Sequence, residues 1–113
     1  VDVGEEDRVD ALFHALADRT RRDIMRRTLA GEHSVSTLAR RYDMSFAAVQ
    51  KHVVVLEKAG LVTKRRSGRE QLASGDVTAV RSVASMLAEL ELLWRDRIAR
   101  IDELISSGST KED

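Results

Sequence analysis

Gln50 and Lys51 stand side by side in a stretch that reads as one helix, and both carry groups that match base-pair edges. An amide can pair with adenine, and an ammonium with the acceptors of guanine. Phe46 and Ala47 lie about one helical turn earlier. Ala47 is small enough to allow close approach, whereas Phe46 fits either a thymine methyl or packing against the preceding helix. The plainer alternative for Gln50 and Lys51 is a solvated helix face. Ser45 opens the same helix as its N-cap, and a helix N-terminus also suits a phosphate. Ser34, Ser36 and Thr37 repeat this arrangement at the start of the preceding helix, where at least one of them serves as a cap. His52 sits beside Val49 and Val53, and fits a partly buried packing residue or a phosphate contact.

A second cluster is basic. Lys64, Arg65, Arg66 and Arg69 surround Ser67-Gly68, a two-residue hairpin turn signal. Such a tip can contact phosphate or enter a minor groove; the alternative is a solubilising hairpin end. The charge distribution agrees with a phosphate-facing surface. The chain has 113 residues and no net charge, yet residues 18–69 carry 13 Lys and Arg against 5 Asp and Glu. The segments on either side are acidic, so a basic middle can face DNA while the ends stay solvated.

Other chemistry finds little support. There is no cysteine, which excludes disulfides and thiolate metal sites. His14, His33 and His52 fall on three different elements without ligand spacing, so no metal site is expected. No nucleophile-base pair, phosphate-cradling glycine loop or paired-carboxylate arrangement is evident, and neither enzyme activity nor a cofactor is expected. Four aromatic residues are too few for a large single-strand stacking platform. The longest apolar runs, Phe46–Val49 and Val53–Leu56, are far too short to span a membrane, and no signal peptide is visible. The expectation is a cytoplasmic protein with no membrane partner.

These residues must be held by a mainly α fold with a small β-hairpin. Length favours a single domain over residues 1–113. Val9, Leu12, Phe13 and Leu16 mark a first helix over 5–17. Asp18 caps a second, with Ile24, Met25, Thr28 and Leu29 inward, Arg19, Arg21, Arg22, Arg26 and Arg27 outward, and Gly31 at its end. A short third helix follows Ser34 or Ser36. The fourth runs over 45–59 with Val49, Val53 and Leu56 inward, and Gly60 sits where a left-handed residue is wanted. Residues 34–59 thus form a helix-turn-helix and residues 61–73 a wing. The returning strand, Glu70–Ala73, has weak β propensity and predicts a short or mobile wing. Asp76 caps a last helix reaching about Ile105, and the tail from Ser106 to Asp113 is polar and expected to fray. Val83, Leu87, Leu90, Trp94, Ile98 and Ile101 lie on one apolar seam of that helix, longer than a small domain needs for its own core. The excess predicts a partner helix, most simply from a second copy.

Three segments in order carry a family resemblance. Ala-Leu-Ala-Asp-Arg-Thr-Arg-Arg at 15–22, Met-Ser-Phe-Ala-Ala-Val-Gln-Lys-His at 44–52 and Val-Leu-Glu-Lys-Ala-Gly-Leu-Val at 55–62 resemble the ArsR-type winged-helix repressors. The likeness covers roughly residues 8–105, and Trp-Arg-Asp-Arg-Ile at 94–98 is similar to the metal-independent branch. It implies the order ααααββα and a homodimer built on the first and last helices, with Leu12 and Phe13 joining the long seam. It also implies a palindromic operator, often the protein's own promoter, and repression of transcription. Arg19 stands where many relatives have proline, the third helix lacks the paired cysteines of metal-sensing members, and the last helix lacks His.

The function expected is therefore that of a homodimeric, sequence-specific repressor on double-stranded DNA. The alternative, from another class, is a winged-helix module for protein association, with the basic face incidental. An effector could lie between the long helices, though no residue pattern identifies one.

Overall fold

The computed structural model describes residues 3–110, with α1 Val3–Leu16, α2 Arg19–Ala30, β1 His33–Ser34, α3 Val35–Ala39, α4 Phe46–Lys58, β2 Val62–Ser67, β3 Glu70–Gly75 and α5 Val77–Thr110. It is mainly helical, with one three-stranded antiparallel sheet in the order β1-β3-β2. The chain divides into two compact units, residues 1–83 and 84–113.

In the first unit, local signals set most helix ends. Asp18 accepts a hydrogen bond from the Arg21 amide at 3.0 Å, Ser34 from Thr37 at 3.1 Å and Ser45 from Ala48 at 3.1 Å. Each satisfies an amide that the first helical turn leaves without a partner. At the other end of α4, Gly60 has φ +81°, its amide donates to the Glu57 carbonyl, and the Leu61 amide donates to the Leu56 carbonyl. This doubly bonded left-handed stop turns the chain into β2, and Leu61 is fully buried behind it. Asp76 accepts from the Thr78 amide at 2.8 Å, opening α5.

The core gathers Leu12 and Ala15 of α1, Ile24 and Met25 of α2, Val35 and Leu38 of α3, and Val49, Val53 and Leu56 of α4. Leu61, Val62 and Ala73 close it from the sheet side. Thr28 is buried and its hydroxyl donates to the Ile24 carbonyl at 2.8 Å, so no polar atom is stranded.

The structure departs from the sequence expectations in several places. β1 was not expected; its two residues pair with β3, His33 opposite Ala73 and Ser34 opposite Leu72. The wing loop is Gly68-Arg69, one residue later than expected, because Ser67 pairs with Glu70 inside the ladder. Gly68 has φ +62° and Arg69 stays at negative φ, which suits a two-residue loop with glycine first. The returning strand is not short: it runs six residues to Gly75, held on both sides by β1 and β2. Leu29 is exposed rather than inward; its side chain lies over Gly75, where a β-carbon would sit 2.7 Å from it. Helix α5 continues past Ile105 to Thr110, so the expected frayed tail is partly helical; residues 111–113 lie outside the described residues.

The second unit is the part of α5 from Ala84 onward. Leu87, Leu90, Leu93, Trp94, Ile98 and Ile101 are all exposed along it. Glu91 and Arg95 pair at 2.7 Å one turn apart, and the Arg97 guanidinium lies 6.0 Å from the Trp94 ring centre.

Candidate nucleic-acid interface

Helix α4 points its two faces at different tasks. Val49, Val53 and Leu56 are buried, which turns Phe46, Ala47, Gln50 and Lys51 outward together. Phe46 is 50% exposed, and it lines a groove together with Val35 and Ser36 of α3. The side chains of Gln50 and Lys51 have no hydrogen-bond or ion-pair partner among the described residues, and their polar groups remain available. Phe46 and Gln50 form one wall of a groove of about 150 Å³. Ser36 of α3 and Lys64, Arg69 and Gln71 of the wing complete it. The groove thus joins the three elements that the sequence assigned to DNA.

Within the wing, strand alternation sorts the basic residues. Lys64 lies on the α4 side, where its ammonium is 3.1 Å from Glu57. Arg65 points the other way and grips Glu32 through Nε and Nη2 at 2.8 and 2.7 Å. The Ser74 hydroxyl also donates to Glu32 at 3.2 Å. The Arg65 hydrogen bonds, with that of Ser74, hold the Glu32 carboxyl below its usual range. Arg66 and Arg69 are exposed and have no such partner among the described residues. Sequence alone grouped all four cations; the structure ties Lys64 to Glu57 and Arg65 to Glu32, and leaves Arg66 and Arg69 exposed.

The hydroxyl residues of α3 also separate. Ser34 is buried, caps the helix and donates to Thr37 Oγ1 at 2.7 Å, so it is a cap and not a surface contact for phosphate. Ser36 is exposed and Thr37 half-buried at the same end. Ser45 is exposed while capping α4.

Two polar networks support α4 from behind, and neither was expected. Tyr42, in the turn before α4, donates to Asp23 at 2.6 Å, and Arg27 donates to the same carboxylate oxygen at 2.9 Å. Those bonds keep the Asp23 carboxyl below its ordinary value, while burial, then the hydrogen bond to Asp23 and its charge, push the Tyr42 phenol up to about 12. The second network centres on Arg21, expected outward but only 12% exposed at its side chain. Arg21 Nε donates to the Ala15 carbonyl at 2.7 Å and Nη2 to the His14 carbonyl at 3.0 Å. Its Nη1 lies 3.2 Å from His52 Nδ1 on α4. The amide of Arg21 is the main cause of a lowered Asp18 carboxyl, with smaller contributions from the charges of His52 and Arg21. The spacing of Asp18 and Arg21 is the one local hint of this node; which of five arginines turns inward depends on where α1 ends.

The predicted dimer residues fall in two groups. Leu12 is 3% exposed and belongs to the core, so it has no surface to offer a second chain. Phe13, Leu87, Leu90, Trp94, Ile98 and Ile101 are exposed, and Val83 is half-buried. Among the described residues no group of three or more His, Asp or Glu is placed to hold a metal, and no helix is long and apolar enough to cross a membrane.

Known proteins share this arrangement. Residues 16–65 match a helix-turn-helix domain family. The chain is 35% identical over 98 residues to the HTH-type transcriptional regulator Rv2034 of Mycobacterium tuberculosis, covering 87% of this chain and 89% of that protein. A crystal structure of an ArsR family transcriptional regulator, RHA00566, superposes with a TM-score of 0.76 at 32% identity, covering 80% of this chain and 93% of that one. The chain is an ArsR-family transcriptional regulator. Its family acts by binding DNA rather than by catalysis, and the matched helix-turn-helix segment includes α2, α3 and α4. A further relative is the homodimeric winged helix-turn-helix DNA-binding domain Mb0332 of Mycobacterium bovis, with a TM-score of 0.65 at 25% identity. The regulator covers 82% of that domain with 78% of its own length.

Proposed function

We propose that this regulator is a homodimeric repressor that binds a palindromic operator, often its own promoter, and blocks transcription by occluding RNA polymerase. The observation that carries the reading is the outward face of α4, whose Gln50 and Lys51 keep their polar groups unpaired beside the wing groove. Gln50 and Lys51 read base edges, with Phe46 offering an apolar contact to a thymine methyl and Ala47 permitting close approach. Ser36, Thr37 and Ser45 contact phosphate, and Arg66 and Arg69 carry the wing's share of the charge. Phe13 and the seam from Leu87 to Ile101 join two copies; the relative from Mycobacterium bovis is itself homodimeric. Two copies would set their α4 helices in successive major grooves, about one helical turn apart. The regulator works without a metal; zinc binding coupled to DNA release would contradict this.

Selection of bound duplexes from random DNA tests the reading. The expected product is an inverted repeat whose half-sites lie about one turn apart. Recovery of no preferred sequence, with a stable dimer in solution, would favour a protein-association module instead.

A further inference from the structure

We propose that Arg21 is a positioning residue for the DNA-reading helix, acting through His52, and that protonation of His52 breaks this link and weakens DNA binding. The inference rests on the reading that the α4 face contacts DNA.

The guanidinium of Arg21 is nearly enclosed, and two of its arms are fixed on the carbonyls of His14 and Ala15 at the end of α1. Those bonds aim the third arm at His52 on α4, at 3.2 Å. A guanidinium has only donors, so His52 Nδ1 must accept, which places the ring proton on Nε2. A protonated imidazole has no acceptor at all. Adding the proton therefore turns the contact into donor against donor and sets two positive charges together. The Arg21 N–H is then left without its partner in an enclosed position, a costly state for a charged group.

Arg21 of α2 disfavours a positive imidazole, and Asp18, which caps α2 and lies 4.0 Å from Arg21 Nη1, favours one. Asp18 therefore offsets part of the repulsion, while its Oδ2 at 4.0 Å from Nη1 lies farther than His52 Nδ1 at 3.2 Å. His52 directly follows Gln50 and Lys51 on one helix, so a shift at His52 carries both base-reading side chains with it.

The sign of the effect separates this role from a direct phosphate contact. A histidine touching phosphate binds DNA more tightly when protonated. A histidine that accepts from Arg21 holds α4 in place only when neutral.

The test is the affinity of the full chain for a duplex recovered by the selection above, measured at constant salt from about pH 8 to about pH 6. Wild type is expected to lose affinity on acidification. His52→Asn keeps an acceptor near the Nδ1 position but does not titrate, so its profile should be flat whatever its absolute affinity. Nitrogen-resolved NMR of the free protein should find His52 Nδ1 without a proton at about pH 8. Affinity that rises on acidification, equal slopes in wild type and His52→Asn, or a proton on Nδ1 would each overturn the proposal. Absence of DNA binding at every pH would sink both the proposal and the reading beneath it.

Discussion

Helices α4 and α5 carry the same kind of pattern and meet opposite fates. In α4 the apolar positions Val49, Val53 and Leu56 are fully buried, and the polar side faces out. From Leu87 to Ile101 along α5 the apolar positions are the exposed ones, with Trp94 at 57%. Periodicity states that a helix has a face to bury; it does not state what buries it. For α4 the answer lies within the first unit, in α3, the sheet and the first two helices. For the exposed stretch of α5, a second copy supplies it in the proposed dimer.

Substitutions on each face of each helix put this contrast to work. The largest effect is expected inside α4: Leu56→Ala should cost about 2–5 kcal/mol of stability in denaturant unfolding, because Leu56 is fully buried and its truncation leaves a cavity. A cost under about 1 kcal/mol would mean that the α4 face is less tightly packed than its burial indicates. Next comes the apolar side of α5. Trp94→Asp should weaken self-association by roughly 2–4 kcal/mol in sedimentation, while circular dichroism shows the helix-turn-helix still folded. Unchanged association would break the comparison, since the exposed seam would then have no role between copies.

The outer face of α4 ranks third. Gln50→Ala should reduce operator binding by about 1–3 kcal/mol and leave random-DNA binding nearly unchanged. Equal loss on both sequences would remove Gln50 from base reading. The smallest effect belongs to the flank of the α5 seam, where Arg95→Ala breaks the exposed pair with Glu91. Thermal unfolding should change by no more than about 0.5 kcal/mol, as for exposed pairs one turn apart. A larger loss would show that this face, too, is covered.

The parts of the fold that were legible in sequence are those with local causes. Ser45 and Gly60 bracket α4 because a cap and a left-handed stop act within a few residues of themselves. β1 escaped notice because nothing in His33-Ser34 is strand-like; β3 makes it a strand by pairing with it. The wing turn was displaced by one residue because Gly68 can serve either turn, and the ladder that chooses between them is cross-strand. Arg65 and Arg66 look alike in sequence, but only Arg65 faces Glu32, which lies 33 residues earlier. The base-reading candidates were legible for a simple reason. They are the residues left over once the apolar positions of α4 are assigned inward.

Ser34 has a mechanical consequence. It is the last residue of β1, hydrogen-bonded in register opposite Leu72 of β3, and also the cap of α3. The wing and the first helix of the helix-turn-helix are therefore hinged on one residue with no slack between them. In the proposed DNA complex, a displacement of the wing by the duplex would be passed along β3 and through Ser34 to α3, the helix that precedes α4.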